Sequence, residues 1–278
     1  MIYNDKMMSF VGALALGVTM MGLAGAASAS TIHVLTNDGR VLLTNTQTGA
    51  TSEVNKIDPL EGPDNGFSPN SLGFFDGRFY ATTFNSSGND ETIYSFDKNT
   101  TSGNFKLGTF SPGNVSAFAA GDANADGFSV VNGGGDKITF DQSLTVVGTQ
   151  NDLTDDNSIF GDIAFDTFSS VMFASYNKVL ERFNADGTSE KKGFNRYVGL
   201  AFDELGELFG VSRGGGIFAL DFDAGSSTQT SGISSDVLGG AELTDAASVA
   251  PVPLPAAGWL MIAGLGGLAA LRRRKRAG

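Results

Sequence analysis

The chain has 278 residues, no cysteine, one histidine, and 30 Asp+Glu against 18 Lys+Arg for a net charge of -12. Disulfides and thiol chemistry are therefore excluded, and an acidic surface of this size opposes binding to nucleic acid or anionic lipid. Six of the cations lie near the two ends of the chain (Lys6, Arg272, Arg273, Arg274, Lys275, Arg276), leaving residues 30–250 with 12 Lys+Arg, 29 Asp+Glu and a net -17.

The chain opens with an apolar stretch, Phe10 to Leu23, followed by Ala27-Ser28-Ala29. An apolar run ahead of small residues at alternate positions has the pattern of a secretory signal. Residues 1–29 are thus predicted to be a signal peptide cut after Ala29, with Ala27 and Ala29 as the recognised small residues. Translation starts at Met1, Met7 or Met8 on this reading.

Residues 30–250 carry a repeat of short apolar runs separated by Asp/Gly turns, the signature of consecutive antiparallel strands. Three strands come first, Ile32 to Leu35, Val41 to Thr44 and Thr51 to Val54. Four fuller copies follow, starting at Ser71, Ser116, Asp162 and Gly199. These starts are 45, 46 and 37 residues apart, about the length of a four-stranded propeller blade. A single strand, Ala241 to Ser248, ends the series. Pairing this strand (241–248) with the three N-terminal strands (31–57) closes a ring and removes exposed sheet edges. The expected fold is all-β, a five-bladed β-propeller, with a six-bladed one as the alternative because residues 58–69 are irregular. The blade pattern resembles bacterial surface propellers of the NHL and YVTN kind. Phe74, Phe165, Phe202, Phe209 and Phe218 are expected at equivalent positions between blades, and the glycine runs 133–135 and 214–216 read as turns.

Two places in the body have the residues for metal chemistry. Asp122-Ala123-Asn124-Ala125-Asp126-Gly127 matches the first half of an EF-hand-type loop, in which side-chain oxygens at alternate positions meet a hard cation. Asp122, Asn124, Asp126 and the Phe128 carbonyl would be the ligands, and the loop resembles those of FG-GAP propeller repeats. Positions nine and twelve are Val130 and Gly133, so water would have to complete a weak Ca2+ shell. The competing reading is a polar hairpin turn. Ser71, Ser116, Asp162, Gly199 and Asp245 fall at one register, which puts Asp162 and Asp245 at one mouth of the central channel. Two acids do not make a complete ligand set. With His33 on a strand and no nucleophile motif, no catalytic constellation is formed; no cofactor is required, and Ca2+ is the one the loop could take.

The chain closes with Val252-Pro253-Leu254-Pro255-Ala256, an apolar run to Leu271 and the five cations Arg272 to Arg276. From Pro255 to Leu271 there are 17 residues, about 25 Å of helix, just short of a typical hydrocarbon core. A transmembrane helix with its basic end on the cytoplasmic side is expected. Residues 252–276 resemble the VPLPA type of PEP-CTERM sorting tail of Gram-negative bacteria. That resemblance implies an exosortase that recognises Val252 to Ala256, an inner-membrane-anchored precursor, and delivery of the body to the cell surface or extracellular matrix. The leading functional expectation is a non-catalytic propeller that binds a surface component such as exopolysaccharide. Alternatives are a calcium-dependent adhesion module and a propeller-type metal-dependent hydrolase or lactonase.

Overall fold

In the computed structural model, the described residues are 30–57, 68–84, 91–98, 106–110, 118–132, 134–151, 153, 161–166, 168–169 and 171–249. The signal segment with Ala27 and Ala29, and the tail with Val252 to Ala256, lie outside them. Among the described residues no helix is long and apolar enough to cross a membrane.

The strands form five four-stranded antiparallel sheets. Blade 1 contains β1 (Thr31–Thr36), β2 (Arg40–Asn45) and β3 (Thr51–Lys56), with β20 (Leu243–Ala247) as its innermost strand. Blade 2 is β4 (Ser68–Phe75), β5 (Arg78–Phe84), β6 (Glu91–Asp97) and β7 (Lys106–Phe110). Blade 3 is β8 (Phe118–Asn124), β9 (Gly127–Asn132), β10 (Lys137–Phe140) and β11 (Val146–Gln150). Blade 4 is β12 (Ile163–Phe165), β13 (Met172–Tyr176), β14 (Val179–Phe183) and β15 (Ser189–Gly193). Blade 5 is β16 (Gly199–Phe202), β17 (Leu208–Val211), β18 (Gly216–Asp221) and β19 (Ser226–Gly232), followed by the one-turn helix α1 (Ser235–Leu238).

This is the predicted five-bladed ring, closed as expected by β20 on β1, with His33 opposite Ala247 and Leu35 opposite Asp245. No sixth sheet occurs among the described residues. Five buried clusters fill the five interfaces between adjacent blades. The seam between blades 5 and 1, for example, joins Phe209, Val211 and Ile217 to Ile32, Val34 and Leu42. The next seam sets Leu35, Val41 and Ile57 against Leu72, Phe79 and Phe96.

Register corrects two details of the expected repeat. Ser116 lies outside the described residues, and the blade 3 residue matching Ser71, Asp162, Gly199 and Asp245 is Ala120. Its neighbour Gly121 faces Val130 as Leu72 faces Ala81 and Leu200 faces Gly210. Likewise only Phe74, Phe165 and Phe202 share a position. Phe209 belongs to the second strand of its blade and Phe218 to the third, because the chain spends aromatics on whichever strand faces a gap between sheets.

Candidate functional site

The innermost strand of each blade is paired on one side only, so its remaining backbone donors point toward the axis and need acceptors. Side chains of the same strands supply them. Asp245 accepts from its own neighbour Ala246 N at 2.6 Å and from Leu72 N of blade 2 at 3.1 Å. Asp162 accepts from Ile163 N at 2.7 Å, from Gly121 N of blade 3 at 3.2 Å and from Leu200 N of blade 5 at 2.6 Å. Asp122 accepts from Ala123 N at 2.8 Å, from Phe165 N of blade 4 at 2.9 Å and from Ser248 Oγ at 3.3 Å. Ser248 Oγ accepts in turn from Phe202 N of blade 5 at 3.0 Å. Three carboxylates and one hydroxyl thereby tie all five blades together across the axis.

These carboxylates are fully buried, and burial pushes all three toward the protonated form. Asp122 and Asp245 lie well above the usual carboxylate range, with the neighbouring Asp162 charge adding to the rise at Asp245, and Asp162 is pushed up to about 7. Asp162 and Asp245 also hydrogen-bond to each other, and burial together with their mutual contact keeps a proton shared within the pair. The sequence placed Asp162 and Asp245 together at one register of the channel, and the structure brings them together. It encloses them in the axis, however, where every oxygen already accepts a hydrogen bond. Close backbone approach allows this: a Cβ on Gly199 would stand 2.6 Å from Ala246 N, and one on Gly121 2.9 Å from the Ser71 Cβ.

The four residues of the calcium-type loop do not converge. Asn124 pairs with Gly127 across a two-residue hairpin of Ala125 and Asp126, so no loop wraps a central point. Asp122 turns into the axis, Asn124 Oδ1 accepts from Asp126 N at 2.9 Å, and Phe128 sits in β9 with its ring stacked on Tyr80. Among the described residues no group of three or more His, Cys, Asp or Glu side chains is placed to hold a metal ion. His33 is buried against Phe74 and Phe79, with ring centroids 4.7 and 4.8 Å away. Desolvation, with a smaller effect of the Lys98 charge, lowers its pKa to about 3, so it is a neutral packing residue.

What the sequence did not single out is a groove of about 780 Å³ on one face of the ring, spanning blades 2, 3 and 4. Its floor is Phe74, Ala123, Phe165 and Met172, all buried, with Phe75 half-buried beside them. Its rim is built from the first-to-second strand turns, which contribute Asp76, Asn124, Asp126 and Asp166, and from the third-to-fourth strand turn of blade 4, which contributes Asn184 and Thr188. The Asp76-Gly77 turn has positive φ at both residues, the geometry of a tight hairpin turn matching strand twist. Lys137 stands among these carboxylates, 5.7 Å over the Phe165 ring. Partial desolvation lowers its pKa, and Asp126 opposes that shift. Asp76 and Asp166 could have been found from sequence, since Phe75-Asp76, Phe165-Asp166 and Phe202-Asp203 recur at the ends of the inner strands of blades 2, 4 and 5.

No family model and no curated protein matches the sequence. Among solved structures the chain is similar to a catalytically inactive virginiamycin B lyase from Staphylococcus aureus crystallised with quinupristin, at 13% identity and a TM-score of 0.45 over 73% of this chain and 71% of that one. It is also similar to a protein from Bacteroides uniformis assigned as a 6-phosphogluconolactonase, at 15% identity and a TM-score of 0.42 over 72% and 66% of the two chains. A third is the extracellular domain of a protein from B. thetaiotaomicron assigned as a hybrid two-component system, at 11% identity and a TM-score of 0.38, where the match covers 68% of this chain and 27% of that one.

Proposed function

We propose that the protein is an exported, exosortase-sorted surface or matrix protein whose non-catalytic propeller binds a saccharide, such as a segment of exopolysaccharide, in the groove of blades 2 to 4. The observation that carries this reading is the composition of the groove, an aromatic and aliphatic floor under a rim of carboxylate and amide oxygens. Sugar rings offer apolar C–H faces to such a floor and hydroxyl donors to such a rim. The acid rim favours neutral or amine-bearing sugars over uronates. Support for a non-catalytic role comes from the axis. A lactonase-type hydrolase needs carboxylate oxygens free to bind metal or water, whereas those of Asp122, Asp162 and Asp245 are all engaged with N–H and O–H donors.

A glycan array probed with the full chain tests this. Binding to neutral or amino-sugar glycans is expected, weakened at least tenfold in Phe75→Ala and Asp126→Ala, each loss corresponding to about 1.4 kcal/mol. Retention of full binding by both variants would remove the groove from the function.

A further inference from the structure

The groove face is also the face at which the chain leaves the propeller. The last bonded residue beyond β20 is Val249, whose N–H donates to Phe202 O at 3.1 Å, and Phe202 leads directly into the β16–β17 turn. Ser30, the first described residue, enters at the same place: its Oγ donates to Asp203 Oδ2 at 2.6 Å, and Glu204 Oε2 accepts from Thr31 N at 3.0 Å. This turn carries Leu205, and the neighbouring β12–β13 turn carries Phe168. Both side chains are 61% exposed, the largest exposures among the large apolar residues described. They belong to one patch, since the position of a Cβ on Gly206 is 2.9 Å from the Phe168 ring. Phe168 also sits between Asp166 and Ser169, two residues of the groove rim.

We infer that this face, through Phe168 and Leu205, rests on a lipid bilayer while the C-terminal apolar run is inserted. The tether decides the orientation. Only residues 250–256 separate Val249 from the apolar run that begins at Ala257, and seven residues reach at most about 25 Å when fully extended. A body of some 220 residues has a radius of gyration of about 17 Å, roughly 45 Å across. A tether of that length cannot pass around the body, so the exit face is the one turned to the membrane, and its two exposed apolar side chains are the ones that meet the interface. The groove opens on that same face and is shielded from polymer on the far side until the tail is cut. Release from the membrane is therefore what exposes the binding surface. The inference rests on the proposed insertion of the tail in a membrane and not on the identity of the groove ligand.

The absence of cysteine permits single-site labelling of the full chain. Phe168→Cys, Leu205→Cys and, on the α1 helix at the opposite face, Asp236→Cys are each labelled with an environment-sensitive nitrobenzoxadiazole dye. The labelled chains are reconstituted in phosphatidylcholine vesicles containing doxyl-labelled lipid, and circular dichroism melts confirm that the three retain the same fold. The expected result is loss of emission at 168 and 205 and none at 236. Emission unaffected at 168 and 205, or quenched equally at all three sites, overturns the inference. Vesicle flotation separates the two levels of the argument: a chain that fails to float refutes membrane anchoring itself, while a chain that floats with unquenched labels refutes only the orientation.

Discussion

Asp245→Asn should change in stability relative to the parent with pH, gaining progressively on it as pH rises from 5 to 7. The axis carboxyls have folded-state pKa values raised above the unfolded value near 3.8, with Asp162 at about 7 and Asp245, which shares a proton with it, also well above it. Below the unfolded value both states are protonated and the full contribution is present. As pH climbs, the unfolded chain releases these protons while the folded chain keeps them, so stability is lost up to the folded pKa by about 1.4 kcal/mol per pH unit for each retained proton. Asparagine at 245 still donates to Asp162 but does not titrate, which removes one such proton from the balance. Its second amide N–H meets the donors Ala246 N and Leu72 N, which Asp245 now satisfies with its two oxygens. That conflict costs about 1–3 kcal/mol at every pH, so the slope and not the absolute stability carries the test. From pH 5 to pH 7 the variant should gain up to about 3 kcal/mol relative to the parent. Asp38 and Asp186, whose values are lowered, contribute with opposite sign only at more acid pH. Urea unfolding followed by circular dichroism measures both proteins, and a stability difference that stays constant across this range would refute the shared-proton account of the axis.

Gly199→Ala puts a Cβ 2.6 Å from Ala246 N and 2.7 Å from Asp245 C, a backbone clash that should cost about 1–3 kcal/mol. Gly193→Ala meets nothing within 4 Å and should stay within about 0.5 kcal/mol of the parent in the same denaturation assay. Asp203→Ala strips the acceptor from Ser30 Oγ, Leu205 N and Glu207 N at 2.6, 3.0 and 2.8 Å, and loss of about 1–3 kcal/mol should appear in thermal melts as easier opening between blades 5 and 1. Calcium or EDTA should leave the melting temperature unchanged, because Asp122 already has its carboxylate committed to Ala123, Phe165 and Ser248; a calcium-dependent rise lost in Asp126→Ala would restore the metal loop.

The ring was legible in the sequence because alternating strands and Asp-Gly turns repeat at blade length, and because a lone final strand and three opening strands are complementary. Register within blade 3 was not, since its inner strand lacks the Ile-Ala-Phe or Leu-Ala-Phe pattern of blades 4 and 5 and carries Gly121-Asp122-Ala123 instead. The Asp-x-Asn-x-Asp-Gly string is ambiguous for a physical reason. The residues that alternate around a cation in a wrapped loop also alternate along a strand, and only the fold shows that Asn124 pairs with Gly127 across a hairpin. The groove escaped notice because its rim comes from turns of three blades, each of ordinary polar composition. Only the fold makes Asp76, Asp126, Asp166 and Lys137 neighbours.

Acids at the centre of a propeller invite a catalytic reading, and here the chemistry of sheet edges accounts for them first. Five inner strands meeting at an axis leave donors such as Leu72, Gly121, Phe165, Leu200 and Phe202 without partners in their own sheets. Water could satisfy them only in a wider channel, and apolar side chains could not satisfy them at all. Carboxyl groups, each with several lone pairs, serve two or three donors from different blades at once, and protonation of the Asp162–Asp245 pair removes the charge repulsion that two anions at contact would impose. The axis is thus committed to holding the ring shut, and the groove, the Phe168–Leu205 patch and the last described residue, Val249, lie together on one face of it.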